Sequence, residues 1–196
     1  MPTLPMSDPL QWFDLWMTEA RRSSEPEPTA MSLATVDHAG QPTVRIVLLK
    51  DFDRKGFVFY TNLKSAKAAQ LRDHSRAGLC VMWKTLCRQV RIDGAVEMVD
   101  DQQADAYFAT RPRNSQIGAW ASKQSQPLKS RAELQQAFRQ YEERFEGKPV
   151  PRPSFWSGYR VVPQTMEFWQ IGDYRLHDRW QFQRRADGWE RVRLYP

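Results

Sequence analysis

The 196-residue chain has no apolar run long enough to form a membrane-spanning helix, and its mean hydropathy is −0.69. Its nine glycines form neither G-x-G-x-x-G nor G-x-x-x-x-G-K, the patterns of dinucleotide-binding folds and P-loops. A nucleotide-like ligand must therefore have its phosphate held by side chains, with Arg and Lys near strand ends as candidates. The two cysteines, Cys80 and Cys87, match neither a disulfide framework nor a metal-site spacing, so we expect no bound metal.

We expect no export signal, because residues 1–8 have neither a basic start nor an apolar core. This predicts a cytoplasmic protein with reduced thiols and no membrane partner. The contents of 41% hydrophobic and 27% charged residues are those of an ordinary globular protein. A chain of this length suits a single domain spanning residues 1–196.

Acidic residues are fewer than basic ones, and the resulting net charge of +6 indicates an anionic partner. The 29 Lys and Arg residues are scattered among acids, as in residues 141–144 (YEER), whereas nucleic-acid binders often show a basic run or a basic helix face. Phosphorylated small molecules explain the excess as well as a nucleic acid does. We therefore expect a small phosphorylated ligand and no nucleic acid, with a basic RNA-binding β-barrel as the alternative.

The spacing of apolar residues predicts an amphipathic helix at 9–22, which Asp8 and Pro9 begin, followed by a loop at 23–30. Runs of β-branched and aromatic residues between turn residues predict strands at 31–36, 43–50, 56–61, 79–84, 88–99, 158–162, 165–171, 180–184 and 189–194. Further helices are predicted at 66–73, 102–110 and 131–146. Short turns between successive strands favour an α+β fold that is mainly β: a small antiparallel barrel with helices at its side.

The densest polar cluster is Arg175, His177 and Arg179, within the string RLHDR. In an extended chain these three side chains share one face, where they would bind an anion or an electron-rich ring. A solvent-exposed edge strand of mixed charge explains the same pattern. The residues alone do not separate these two interpretations.

Two further clusters combine cations with predicted element ends. Arg45 and Lys50 bracket an apolar strand, and their odd separation places them on opposite faces unless the site lies at the strand end or at a bulge. Thr61, Ser65 and Lys67 lie where a strand ends and a helix begins, an arrangement suited to a phosphate. Snorkelling strand ends and an ordinary Ser cap are the structural alternatives.

A fourth cluster contains Tyr107, Arg111 and Ser115. Tyr107 and Arg111 are four residues apart on one helix face, and Ser115 follows just after the break at Pro112. Together these side chains form a plausible second phosphate site. The structural alternative is a helix surface whose C-terminal Arg interacts with the helix dipole.

Taken together, the chain resembles the pyridoxine (pyridoxamine) 5′-phosphate oxidase family from about residue 28 to residue 196. The resemblance rests on strings that occur in the family's order: RIVLLK (45–50), FYTNL (59–63), RPRNSQIGAW (111–120), SKQS (122–125), PSFW (153–156), and EFWQ (167–170) with RLHDR (175–179). It implies an antiparallel split β-barrel that works as a homodimer with FMN at the subunit interface. The antiparallel fold predicted from the strand pattern agrees with it.

The resemblance also implies an activity: oxidation of pyridoxine or pyridoxamine 5′-phosphate by O₂ to pyridoxal 5′-phosphate, with release of H₂O₂ and, from the amine, ammonia. The implied FMN contacts are Arg45, Ile46, Val47, Leu48, Leu49, Lys50, Tyr60, Thr61, Lys67, Gln89, Gln124, Ser125, Trp169 and Arg179. The implied substrate contacts are Lys50, Tyr107, Arg111, Ser115, Arg175 and His177. Of these, Arg175 and His177 would lie over the pyridine ring and its reacting carbon, as the catalytic candidates.

One departure from the family pattern concerns the FMN phosphate. Ala66 occupies a position where the family commonly has Arg, so one cation is missing, and Arg72 is a candidate replacement. Two alternatives remain beside the oxidase: a related FMN oxidase of the phenazine-pathway type with another substrate, and a flavin- or pyridoxal-phosphate-binding protein without turnover. The complete set of implied substrate residues favours the oxidase.

Overall fold

The computed structural model of the protein describes residues 6–196, so most of the segment expected not to be an export signal lies outside the described residues. Within residues 6–196 the chain forms nine β-strands and five α-helices. The strands are β1 (Ala30–Val36), β2 (Pro42–Leu48), β3 (Asp51–Asp53), β4 (Gly56–Asn62), β5 (Arg76–Trp83), β6 (Arg88–Met98), β7 (Trp156–Gln170), β8 (Asp178–Arg185) and β9 (Gly188–Leu194). The helices are α1 (Pro9–Arg22), α2 (Ala66–Asp73), α3 (Asp101–Thr110), α4 (Arg113–Ala121) and α5 (Arg131–Arg144).

The nine described strands form one antiparallel sheet with the order β2-β1-β5-β6-β7-β4-β3, and β8 and β9 continue from β7. The sheet curls into a half-barrel accompanied by the five helices. This architecture confirms the predicted α+β split barrel. None of the helices within the described part of the chain is long and apolar enough to cross a membrane.

Strand β7 is one continuous strand of 15 residues, so the prediction of two strands at 158–162 and 165–171 is wrong. Pro163 interrupts the predicted pattern, but a register shift at Gly94 of the neighbouring β6 accommodates it. Glycine is required at this point, because a Cβ on Gly94 would lie 2.0 Å from the carbonyl oxygen of Val162. The first half of β7 pairs with β4 and the second half with β8.

Two elements, β3 and α4, are absent from the pattern-based prediction. Strand β3 has three residues, too few for a recognisable alternation. Helix α3 ends at Thr110, and helix α4 begins at Arg113, directly after Pro112. The proline therefore separates two helices, and the segment after it is helical again. The predicted loop at 23–30 ends one residue early, because Ala30 is the first residue of β1.

Helix α1 spans the predicted residues and packs one face into the core. Asp8 caps it by accepting a hydrogen bond from the Leu10 N–H at 2.9 Å, and Pro9 fits the first turn because its missing N–H is not needed there. The buried face consists of residues three and four apart and contains Pro9, Trp12, Phe13, Trp16, Met17 and Ala20.

Aromatic contacts fix α1 against the curled sheet. The Phe13 ring meets the rings of Phe52 and Phe57 edge-on, with centroids 5.0 Å and 4.9 Å apart. It also lies 5.9 Å from the ring of Trp83. These contacts join α1 to strands β3, β4 and β5, so the helix closes the core that positions the strand ends.

Replacing Phe13 with Ala is expected to lower the free energy of unfolding by about 3–5 kcal/mol, because Phe13 is fully buried and its removal leaves a cavity. The matched control is Leu15→Ala on the same helix, where the side chain is 41% exposed and the expected loss is small. Urea unfolding followed by circular dichroism measures both variants. Equal destabilisation by the two substitutions would contradict the packing of α1 described above.

Candidate active site

A cavity of about 480 Å³ opens where β2 and β4 end beside α2, α3 and α4. Its volume lies within the range of small-molecule sites, about 300–1,000 Å³. Three cations line it, Lys50, Lys67 and Arg111, and none of its lining residues within the described chain is a carboxylate. This charge distribution favours an anionic ligand. The other lining residues are Ile46, Val47, Leu48, Tyr60, Thr61, Asn62, Tyr107, Ser115, Gly118, Ala119, Ser122, Gln124 and Trp156.

One set of polar side chains, the Lys67 group, comprises Thr61, Lys67 and Gln124 of the cavity lining together with the buried Ser65 beside them. Lys67 Nζ lies 3.2 Å from Thr61 Oγ1, 3.2 Å from Gln124 Oε1 and 3.4 Å from Ser65 Oγ. These oxygens are neutral, so the contacts leave the ammonium charge uncompensated. Burial, and then the nearby charge of Arg45, lower the pKa of Lys67. The Lys67 group is therefore suited to a phosphate.

Arg45 lies next to the Lys67 group without lining the cavity. Its guanidinium donates hydrogen bonds to Thr43 Oγ1 at 2.5 Å, to Gln70 Oε1 at 3.1 Å and to Thr35 Oγ1. Burial lowers the pKa of Arg45, and its positive charge in turn lowers the pKa of Lys67. A second uncompensated cation therefore adds to the positive potential at the Lys67 group.

Arg72 does not supply the cation that is missing at position 66, where the chain has Ala66. The Arg72 guanidinium donates to the carbonyl oxygen of Leu63 at 2.8 Å and is absent from the cavity lining, because it lies in the last turn of α2.

The predicted Ser65 cap is also wrong in detail. Ser65 occupies the N-cap position, but its side chain makes no capping hydrogen bond.

Three stacked aromatic rings form another wall of the cavity. The Tyr60 ring stacks on Tyr107 and Trp156 with centroid distances of 4.0 Å and 5.2 Å. Gly158 leaves room for this stack, since a Cβ there would lie 2.8 Å from the Tyr60 ring. Burial, and then the charge of Asp51, raise the pKa of Tyr60 to about 12, and burial raises the pKa of Tyr107. Both phenols therefore remain protonated at neutral pH and can donate hydrogen bonds.

The second set of polar side chains, the Arg111 group, comprises Tyr107, Arg111 and Ser115, all of which line the cavity. The guanidinium carbon of Arg111 lies 4.8 Å from the centre of the Trp156 ring, and burial lowers the pKa of Arg111. Its Nη1 is buried and has no hydrogen-bond partner among residues 6–196. Leaving a charged donor unpaired costs roughly 1–3 kcal/mol or more, so this atom indicates the position of a ligand.

Arg152 connects the Arg111 group to the sheet. Its side chain contacts Asp105 Oδ1 at 2.5 Å and Asp101 Oδ1 at 2.7 Å, both on α3, and donates to the carbonyl oxygen of Trp156 at 2.8 Å. This contact holds α3, which carries Tyr107, against the start of β7. Sequence reasoning does not identify Arg152, because nothing in a mixed-charge string shows that two acids 47 and 51 residues away are its partners.

Four further predicted residues lie at the other end of β7 and form the His177 group: Gln89, Trp169, His177 and Arg179. The rings of Trp169 and His177 are 4.7 Å apart, and Gln89 pairs with Trp169 across the sheet. Arg179 contacts Glu167 Oε1 through Nε at 3.0 Å and Nη2 at 2.9 Å. None of these residues lines the cavity of its own chain.

The chain around Arg175 is not extended, so the prediction that Arg175, His177 and Arg179 share one strand face is wrong. A 3₁₀ turn spans Asp173–Arg175, and Tyr174 and Arg175 have left-handed φ angles of 53° and 67°. Strand β8 begins only after His177. The turn therefore breaks the alternation that the polar pattern suggests.

The structure thus brings only part of the predicted site residues together in one cavity. The cavity brings together Ile46, Val47, Leu48, Lys50, Tyr60, Thr61, Lys67, Tyr107, Arg111, Ser115 and Gln124. It leaves out Arg45, Leu49, Gln89, Ser125, Trp169, Arg175, His177 and Arg179. Leu49 is part of the buried core.

Five cavity residues are not identified by sequence reasoning as site residues: Asn62, Gly118, Ala119, Ser122 and Trp156. All five fall inside strings that carry the family resemblance, which is the signal that could have found them. Trp156 is the most important of the five, because it stacks on Tyr60 and contacts Arg111.

Comparison with known proteins identifies the family of the chain. The pyridoxamine 5′-phosphate oxidase family model matches residues 17–145, and the model of the pyridoxine 5′-phosphate oxidase C-terminal dimerisation region matches residues 156–196. The pyridoxine/pyridoxamine 5′-phosphate oxidase of Allorhizobium ampelinum is 52% identical over 191 residues, covering 96% of this chain and 93% of the relative. The chain belongs to the pyridoxine/pyridoxamine 5′-phosphate oxidase family.

Two solved structures resemble this family member. PhzG from Burkholderia lata 383, in complex with tetrahydrophenazine-1-carboxylic acid, gives a TM-score of 0.93 with 28% sequence identity, covering 98% of this chain and 94% of PhzG. A pyridoxamine 5′-phosphate oxidase-related, FMN binding protein from Nostoc punctiforme gives a TM-score of 0.78 with 18% identity, covering 99% and 100% of the two chains. The second likeness shows the split-barrel fold alone.

The donor set of the family member fits a phosphorylated, flat ligand. Lys67 and the buried Nη1 of Arg111 are cationic donors that no carboxylate in the cavity lining compensates. The stacked rings of Tyr60, Tyr107 and Trp156 offer an aromatic surface in the same cavity. The dimerisation region at residues 156–196 contains the whole of β7, β8 and β9 and supports assembly into a homodimer.

Substitution of Lys67 by Met is expected to weaken binding of inorganic phosphate to the flavin-free protein by about tenfold or more, the effect of losing a charge-assisted hydrogen bond of roughly 1.5–3 kcal/mol. Lys55→Met is the matched control, because Lys55 is exposed in the turn between β3 and β4 and lies outside the cavity lining. Isothermal titration calorimetry measures both. Unchanged phosphate affinity in Lys67→Met would show that phosphate does not bind at the Lys67 group.

Proposed function

We propose that the protein is an FMN-dependent oxidase that converts pyridoxine 5′-phosphate and pyridoxamine 5′-phosphate to pyridoxal 5′-phosphate, with O₂ as electron acceptor and H₂O₂ as a product. Family membership supports this activity. The observation that carries it is the pairing of two uncompensated cation groups in one cavity, the Lys67 group and the Arg111 group. Two phosphorylated ligands, one cofactor and one substrate, account for both groups.

The Lys67 group is the proposed site of the FMN phosphate. Lys67 Nζ and Thr61 Oγ1 would donate hydrogen bonds to this phosphate. Arg45, outside the cavity lining, adds positive potential. The end of β2, residues 46–48, lines the same cavity and would run along the flavin ring system. When bound, FMN supplies the hydride acceptor and the means of passing electrons to O₂.

The Arg111 group, together with Lys50, is the proposed site of the substrate phosphate. A phosphate bound at this site would give the buried Nη1 of Arg111 the hydrogen-bond acceptor that it lacks among residues 6–196. Tyr107 is held protonated by burial and donates a hydrogen bond, and Ser115 lies in the first turn of α4, where backbone N–H groups also favour an anion. Fixing the phosphate at this point orients the pyridine ring relative to the cofactor.

The His177 group is proposed to complete the cavity of the partner subunit. Trp156 lines the cavity, whereas Trp169 lies roughly 40 Å further along the same strand at about 3.3 Å per residue, so one chain does not bring the two groups together. Dimerisation through residues 156–196 is a means of joining them, with FMN at the interface. Arg179, held by Glu167, would then contact FMN.

Arg175 and His177 are the proposed catalytic residues. Arg175 is an exposed cation on the turn before β8, where it can stabilise negative charge that develops on the substrate oxygen. His177, covered on one side by Trp169, provides a hydrogen-bonding group beside the reacting carbon. The two residues would orient the substrate relative to the cofactor.

The phenazine-pathway relatives are the second candidate, because the PhzG structure has a TM-score of 0.93 to this chain. The Arg111 group favours the phosphorylated substrate. An unpartnered guanidinium beside a protonated phenol and a serine hydroxyl gives a phosphate several donors. Turnover of pyridoxine 5′-phosphate, with no turnover of tetrahydrophenazine-1-carboxylic acid, the compound bound in the PhzG structure, separates the two candidates.

The cofactor released by heat from the purified protein is expected to be FMN, with one molecule per subunit. The Lys67 group provides for a single terminal phosphate, and the chain has no glycine-rich loop for a dinucleotide. Chromatography of the released flavin against FMN, FAD and riboflavin standards tests this. FAD, riboflavin or the absence of flavin would be incompatible with the proposal.

Arg175→Leu is expected to retain flavin and the dimer while kcat/KM falls by roughly 10²–10³, the scale for losing one donor that stabilises transition-state charge. The paired variant Arg179→Leu is expected to lose flavin first, because its guanidinium is held by Glu167 at the proposed FMN contact. Peroxide production and flavin absorbance measure both. Wild-type behaviour of both variants would mean that these are solvated charges of little consequence.

A wild-type protein that forms no pyridoxal 5′-phosphate would overturn the function itself.

A further inference from the structure

The loop between β7 and β8 holds His177 through an unusual backbone conformation. Tyr174 and Arg175 are two successive non-glycine residues with left-handed φ angles of 53° and 67°. Such conformations cost of order 1 kcal/mol or more each and persist where the surrounding structure imposes them. The same loop directs the Gly172 N–H to the Nδ1 atom of His177, with a donor–acceptor distance of 3.2 Å.

This hydrogen bond determines which ring nitrogen of neutral His177 carries the hydrogen. A neutral imidazole has one N–H donor and one acceptor nitrogen. A backbone N–H can only donate, so Nδ1 must be the acceptor, and the ring hydrogen must reside on Nε2. In this state Nε2 can donate a hydrogen bond but cannot accept a proton.

The surroundings of the imidazole keep one side of the ring open. The Trp169 ring covers it at a centroid distance of 4.7 Å and an angle of 51°. His177 also lines a surface cavity of about 450 Å³, together with Leu176, Arg193, Leu194, Tyr195 and Pro196. The ring is therefore fixed by Gly172 and Trp169 while it remains accessible to a ligand.

We propose that Gly172 is a positioning residue that holds His177 as the Nε2–H tautomer, so that His177 acts toward the substrate as a hydrogen-bond donor and not as a proton acceptor. This inference rests on the proposed function, in which His177 meets the substrate. It adds a role for Gly172 and a defined direction for the hydrogen bond. The acceptor on the substrate is an oxygen on or next to the pyridine ring.

The position admits no residue other than glycine without movement of the loop. A Cβ on Gly172 would lie 2.1 Å from the carbonyl oxygen of Leu176 and 2.9 Å from its carbonyl carbon. Both are backbone atoms, so the clash cannot be relieved by rotation of a side chain. Any larger residue must therefore move the backbone at Gly172 or at Leu176, the residue next to His177.

The direct test is the tautomeric state of His177 in the flavin-loaded wild-type dimer. The chain has only three histidines, so the two-bond ¹H–¹⁵N correlation spectrum of ¹⁵N-histidine-labelled protein contains three ring patterns, and His177→Gln identifies the relevant one. Above the pH at which the imidazole titrates, the expected pattern is that of the Nε2–H form. The Nδ1–H pattern, or a mixture of both, would overturn the proposal whether or not the protein oxidises pyridoxine 5′-phosphate.

Paired substitutions at His177 test the donor role. The amide nitrogen of Gln can take the place of Nε2, whereas the amide nitrogen of Asn corresponds to Nδ1. His177→Gln is therefore expected to lower kcat by about tenfold while both limbs of the pH–rate profile remain, whereas His177→Asn loses roughly 10²-fold or more. His38→Gln, at an exposed residue of the β1–β2 turn, is the control and should behave as wild type. Equal losses in both His177 variants, or loss of one limb of the pH profile in His177→Gln, would contradict donation from Nε2.

Gly172→Ala completes the test of positioning. It is expected to retain flavin and the dimer, to lower kcat by about tenfold or more, and to shift the His177 ring pattern away from pure Nε2–H. Wild-type kcat and an unchanged His177 ring pattern in Gly172→Ala would contradict the positioning role of Gly172. If the variant does not fold, the wild-type spectrum still decides the proposal.

Discussion

The pairing of β7 with three neighbours is the constraint on which the rest of the molecule depends. One edge of the strand binds β6, and the other binds β4 along its first half and β8 along its second. Trp156 at its start belongs to the cavity wall, and Trp169 near its end covers His177. Because a slip of one residue would turn every side chain of the strand to the opposite face, the register of β7 positions both groups at once.

Within residues 6–196, the cations that line the cavity lack the carboxylate partners that several other part-buried cations have. Elsewhere in the described chain, Arg152, Arg160 and Arg179 all have carboxylate partners within ion-pair distance. Lys67 instead contacts neutral oxygens, and Arg111 keeps a buried nitrogen without a partner. The fold therefore holds these two cations close to the cavity at an electrostatic cost that a bound phosphate removes.

Much of the fold could be predicted because it rests on local patterns. Helix α1 follows from aromatic residues at helical spacing, and most strands follow from β-branched runs between turn residues. The prediction failed where tertiary contacts override the pattern: Pro163 is accommodated by a register shift in β6, and Tyr174 and Arg175 adopt left-handed φ angles without being glycine or asparagine. The meeting of Lys67 with Gln124, 57 residues away, likewise depends on packing that no local spacing records.

The packing of α1 also determines when the protein can fold during its synthesis. Trp12 stacks on Phe168 at 4.2 Å and meets Phe182 edge-on at 5.9 Å, so the first helix completes its core only with strands from the end of the chain. Contacts so distant in sequence slow folding, and until they form the apolar face of α1 stays exposed to other chains. A nascent chain that has not yet reached β8 therefore lacks a closed core, because Trp12 has not yet met Phe168 and Phe182.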